Sequence, residues 1–101
     1  MTHALQHHHV TLKPKAEQVE ETRQLLIACA RQVTLRKSQN GPSSWCASFD
    51  EARNVFYVDA LFPDEAAVKF HQENIGPIVK SFAALMVAPP ATVIRPVFCA
   101  A

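Results

Sequence analysis

Residues 44–61 read SWCASFDEARNVFYVDAL. Trp45, Ala47 and Phe49 alternate with Cys46 and its serine neighbours, which is the period of a strand. The polar run Asp50 to Asn54 follows. Then Val55, Tyr57, Asp59 and Leu61 alternate with Phe56, Val58 and Ala60. Two alternating runs joined by a five-residue polar loop predict an antiparallel hairpin. Alternation names two faces for each strand without saying which one is buried. Trp45, Phe49, Phe56 and Tyr57 are therefore assigned to neither side.

Outward from the hairpin the period changes. Upstream, Val19, Leu26, Ala30 and Val33, widened by Leu25 and Cys29, predict an amphipathic helix from Ala16 to about Arg36. Acidic Glu17, Glu20 and Glu21 at its start and basic Arg36 and Lys37 at its end suit the helix dipole. Asn40-Gly41-Pro42 lies in the loop that leads to the hairpin. Before the helix, Leu5 to Leu12 alternates as a strand, and Lys13-Pro14-Lys15 ends it. His8, Val10 and Leu12 share the face assigned to the helices, and His7 and His9 share the other.

Downstream, Phe62-Pro63-Asp64-Glu65 predicts a helix start and the helix runs to about Glu73. Asn74-Ile75-Gly76-Pro77 is expected to interrupt it, with helix resuming over Ile78 to Met86 and stopping at Pro89-Pro90. Ala91 to Phe98 predicts a last strand, which Pro96 places at a sheet edge. The order β-α-β-β-α-β defines an α+β, ferredoxin-like sandwich with an antiparallel sheet, expected as one domain over residues 1–101. Helices on one face leave the other sheet face free to pair with a second copy, so a homodimer is expected.

Composition excludes several function classes. Ten Lys and Arg against nine Asp and Glu leave a formal charge of +1, which offers no electrostatic footprint for nucleic acid. No apolar run approaches the roughly 18 residues that cross a bilayer, and Met1 to Val10 lacks the pattern of a secretory signal. The three cysteines, Cys29, Cys46 and Cys99, are widely spaced with no CxxC pair, which reads as reduced, buried thiols in a reducing, cytoplasmic setting.

Thr11-Leu12-Lys13-Pro14 running into an acidic helix, together with Asp64-Glu65-Ala66-Ala67-Val68-Lys69-Phe70-His71, resembles the antibiotic biosynthesis monooxygenase superfamily over about residues 5 to 98. The resemblance implies a dimeric α/β barrel, made by two sheets packed face to face, with a small-molecule pocket between the sheet and helices of each subunit. It also implies oxidation of quinols or anthrones by O₂ with no metal or flavin cofactor. Haem-degrading relatives carry an asparagine, a tryptophan and a histidine that fall at His8, near His71 and near Ser81, so their haem set is missing. A second histidine common in quinol-oxidising relatives falls at Gly76 and is also missing.

His71 is the candidate base. A near-neutral imidazole can take a proton from a phenol or hydroquinone, and the electron-rich anion then reacts with O₂. The plainer reading is a core histidine bonded to a backbone carbonyl. His8 is a candidate donor or second base. Trp45 and Tyr57 are candidate aromatic walls for a planar substrate, Asn74 is a candidate polar contact one turn from His71, and Phe70 and Phe82 are candidate lining. In His7-His8-His9 only His7 and His9 converge, and no acidic or cysteine partner is evident nearby, so no metal site is expected. The leading expectation is a cofactor-independent monooxygenase acting on a small aromatic molecule. The alternatives are a non-catalytic dimeric module that binds an apolar ligand and another small-molecule enzyme on the same scaffold.

Overall fold

The structure is a computed structural model that describes residues 5–101. Residues 1–4, the start of the segment weighed as a secretory signal, lie outside the described residues. The elements are β1 (Gln6–Leu12), α1 (Val19–Arg36), β2 (Ser44–Asp50), β3 (Val55–Phe62), α2 (Glu65–Val79) and β4 (Ala91–Pro96). Short 3₁₀ turns precede α1 at Ala16–Gln18 and follow α2 at Ala83–Leu85. The strands form one antiparallel sheet in the order β2-β3-β1-β4. This is the expected α+β, ferredoxin-like sandwich.

The hairpin closes one residue tighter than expected, because Asp50 pairs with Val55 and leaves residues 51–54 as the loop. Asp50 Oδ1 accepts the Arg53 N–H at 3.2 Å, and Asn54 turns the chain with φ +58°. Asparagine is among the few residues that tolerate this left-handed conformation.

The register settles which face is buried. Trp45 lies opposite Ala60, Ala47 opposite Val58 and Phe49 opposite Phe56, while Val10 and Leu12 of β1 lie opposite Val58 and Phe56. These residues face the helices. Leu12, Phe56 and Val58 pack against Leu26 and Cys29 of α1 and against Phe82 and Met86 beyond α2. A second cluster joins Ala60, Phe62 and Ala67, and Trp45 touches both clusters. The opposite face, with His7, His9, Tyr57, Asp59 and Cys46, carries no helix among the described residues. β4 is exposed throughout and among the described residues pairs only with β1, which suits Pro96 at the edge of the sheet.

Helix α2 corrects one expectation. It does not break at residues 74–77 but continues to Val79 with Pro77 inside its last turn. A proline ring disfavours helical backbone in the preceding residue partly by clashing with that residue's Cβ, and here the preceding residue is Gly76, which has none. Ile75 and Ile78 pack on the core and hold the turn in place. The helix resumed over 78–86 in the sequence reading is instead a tightened exit. Ser81 and Phe82 N–H donate to the Ile78 and Val79 carbonyls, and the 3₁₀ turn follows. That turn is lashed to the end of β1 by Lys15 N–H to the Leu85 carbonyl at 2.8 Å and Val87 N–H to the Lys13 carbonyl at 2.7 Å. Among the described residues no helix is long and apolar enough to cross a membrane.

Candidate functional site

His71 is carried by α2, whose start is set by Asp64. The Asp64 carboxylate accepts the Ala67 N–H at 2.8 Å, an N-cap that satisfies one of the free donors of the first turn. Ala67 is fully buried and lets α2 sit close to the sheet. One turn later the imidazole of His71 meets Phe62 edge-on, with ring centroids 5.2 Å apart. On the other side Phe62 meets His8 at 4.6 Å, also edge-on. The result is a three-ring row, His8–Phe62–His71, between the sheet and α2.

The two histidines are held differently. His8 Nε2–H donates to Gln6 Oε1 at 3.1 Å, two residues back on the same face of β1. His71 Nδ1 is buried without a hydrogen-bond partner among the described residues. The backbone-carbonyl bond of the plainer reading is therefore not made at that nitrogen. Burial, and then the nearby His8, push the His71 pKa down to about 4, so the ring is neutral at pH 7. Burial also lowers the His8 pKa; Glu65 works against that shift and His7 adds to it.

The remaining candidates disperse. Trp45 packs against the Ala60–Phe62–Ala67 cluster on one side and on the other lines an open apolar groove of about 390 Å³. Leu26, Ile27 and Ala30 of α1 and Ala47 and Phe49 of β2 complete that groove. Its one charge is Arg23, whose guanidinium lies over the Phe49 and Phe56 rings at 5.1 and 5.5 Å. Neither His8 nor His71 lines it. Phe82 is core, 5% exposed. Phe70 packs beside Gly41, where φ is +113°, and under the Arg36 guanidinium at 5.1 Å. Asn74 does not turn toward His71. It ties α2 to α1, accepting from Gln32 Nε2 at 2.8 Å and donating to the Gln32 carbonyl at 3.2 Å. Tyr57 is on the opposite sheet face, stacked on His9 at 5.3 Å.

That face holds the group the sequence reading missed. Asp59 lies directly opposite His9 on β3. Its Oδ1 accepts from His7 Nε2 and from His9 Nδ1, each at 2.8 Å. An acidic partner for the two converging histidines therefore exists, 50 residues from His9. The alternation of residues 55–61 already put Asp59 on a face with Tyr57; the missing signal was the pairing of β1 with β3. Burial raises the Asp59 carboxyl pKa, but the two imidazole hydrogen bonds and their charges outweigh it and leave a net lowering.

No family model matches the chain, and no curated protein matches it. Solved structures do. Rv0793 from Mycobacterium tuberculosis superposes with a TM-score of 0.82 at 12% identity, over 97% of this chain and 99% of that one. A Caulobacter crescentus protein, provisionally named an antibiotic biosynthesis monooxygenase, gives 0.81 at 16% identity over 94% and 91%. A Nitrosomonas europaea protein with the same provisional name gives 0.79 at 12% over 97% and 94%. The chain thus has the fold of the antibiotic biosynthesis monooxygenase structures, as the resemblance of its motifs implied.

Proposed function

We propose that the chain is a cofactor-independent monooxygenase that oxidises a small quinol- or anthrone-type aromatic with O₂, with His71 as base. The observation that supports this reading is the buried Nδ1 of a neutral imidazole, unpartnered among the described residues and set edge-on to the Phe62 ring. An acidic C–H or O–H placed at that nitrogen gives its proton to the ring. The substrate anion then pairs with the imidazolium in a site of low polarity, and this pairing offsets the depressed basicity of the free ring. The carbanion or phenolate passes electrons to O₂ and forms a C–O bond. One oxygen atom becomes the product carbonyl, and the other leaves as water with the protons the substrate gave up. His8, its Nε2–H held by Gln6, is the neighbouring second base, and Phe62 is the apolar ring between the two histidines. The names of the Caulobacter and Nitrosomonas structures are in keeping with this class. In this reading the chain works in the cytoplasm, where its three free cysteines stay reduced. It acts as a homodimer paired through the helix-free sheet face.

One observation favours a second reading, a non-catalytic module for an apolar small molecule. The apolar groove beside Trp45 is lined by neither histidine. O₂ consumption by purified, metal-free protein, measured with a panel of naphthohydroquinones and anthrones beside His71→Ala, separates the two. Saturable uptake that the variant loses supports the oxygenase. Uptake no faster than buffer, across compounds that still bind, leaves the binding module.

A further inference from the structure

The helix-free face of the sheet carries a second cluster with chemistry of its own, independent of the His71 row. His7 and His9 are two residues apart on β1 and project to the same side. Asp59 is the cross-strand partner of His9 on β3. Both strands are interior to the sheet, flanked by β2 and β4, so backbone pairing on both sides fixes the three Cα positions. The rings are fixed as well. His9 stacks on Tyr57 at an interplanar angle of 24°, and His7 meets His9 edge-on at 6.1 Å. Within the single chain the three side chains are about a third exposed, and in the homodimer of the proposed function they face the partner's sheet. A carboxylate on a central strand is uncommon in itself.

From this geometry we propose that His7 Nε2, His9 Nδ1 and an Asp59 carboxylate oxygen bind one divalent transition-metal ion of the zinc, nickel or cobalt class. The three donor atoms lie within 4.8 Å of one another, and each nitrogen is 2.8 Å from Asp59 Oδ1. An ion held by nitrogen and oxygen at about 2.0–2.2 Å places adjacent donors about 3.0 Å apart in an octahedron and about 3.4 Å apart in a tetrahedron. The metal takes the place of the two shared N–H protons, with the rings drawing back from the carboxylate by about half an ångström, each imidazole carrying its proton on the other nitrogen. Two imidazoles and one carboxylate are the donor set such ions accept. One carboxylate leaves the bound ion with net positive charge, and three protein ligands leave at least one position for water or an anionic ligand. The thiol of Cys46, the partner of Asp59 on β2, is exposed on the same face and is the competing soft donor.

The test is titration of untagged, chelator-treated full chain with Zn²⁺ and Ni²⁺ by calorimetry, with Co²⁺ absorption and metal-dependent melting temperature alongside. It is run on the natural chain and on a thiol-free C46S/C99S chain. The expected result is one ion per chain in both, with a raised melting temperature. Affinity falls at least about tenfold in Asp59→Asn, since even loss of a group that only supports a ligand costs about 10–100-fold. If Asp59→Asn does not fold, His7→Gln serves as the second variant with the same expected loss. No binding, half an ion per chain, affinity lost in the thiol-free chain, or affinity unchanged in Asp59→Asn or His7→Gln overturns the assignment. The His71 reading stands or falls separately, because its assay uses metal-free protein.

Discussion

Lowering the pH from 7 to 5 destabilises the folded chain through His71, and His71→Gln removes that part of the loss. Burial first, and the neighbouring His8 second, bring the His71 pKa to about 4 from 6.5. At pH 7 the ring is neutral folded and mostly neutral unfolded, so the linkage is close to nil. At pH 5 the unfolded chain takes up a proton there that the folded chain refuses, and stability falls as the pH drops through this window. The full shift corresponds to about 2 kcal/mol between pH 7 and pH 5. The ring is only half-buried, and solvent screening reduces this to about 1 kcal/mol. His8 acts in the same direction, its own pKa lowered by burial, while Glu65 opposes it. The comparison with His71→Gln isolates the one ring. Urea unfolding of both proteins at the two pH values is the assay, and the wild type should lose about 1 kcal/mol more than the variant. Equal losses, or an NMR titration of His71 with its midpoint at the ordinary 6.5, refute the reasoning.

Phe62→Ala, at 2% exposure and between both histidines, should cost about 3–5 kcal/mol in urea unfolding, and a loss below about 1 kcal/mol would mean the ring row contributes little to packing. Asp64→Ala removes the N-cap of α2 and should cost about 1 kcal/mol, read by thermal or urea melting; unchanged stability would show that the Ala67 N–H finds another partner. Of the three cysteines expected to be buried only Cys29 is, its thiol pushed up to about 11 by burial, while Cys46 on the helix-free face and Cys99 beyond β4 are exposed. A thiol reagent at pH 8 should therefore modify two cysteines in the native chain and the third only on unfolding, whereas prompt reaction of Cys29 would contradict its packing.

Much of this was legible in the residues. The alternation of 44–49 and 55–61, the stripe of Val19, Leu26, Ala30 and Val33, and the Asp64-Glu65 start gave the element order and, through it, the fold. Pro77 misled because the local rule for proline ignores the preceding glycine and the packing of Ile75 and Ile78, which together keep α2 continuous. Asn74 misled for a related reason. Its spacing from His71 suggested a shared cavity, but Gln32 on the other helix captures it. The candidate site was half visible. His71 and His8 do share the helix side, yet Phe62, the ring that joins them, drew no notice in a sequence where it read as the residue before a helix.

Strand and helix periods are properties of neighbours in the chain, so the residues alone gave the four strands, the two main helices and their order, but not the course of α2 past Glu73. Sheet register is a property of segments far apart, and only the tertiary structure set it. By placing Phe56 and Val58 under the helices it turned Tyr57 to the opposite face. The same register brought Asp59 to His9 across 50 residues of chain. Cross-strand pairing, which no local pattern encodes, is what turned two strand histidines and a lone aspartate into one cluster.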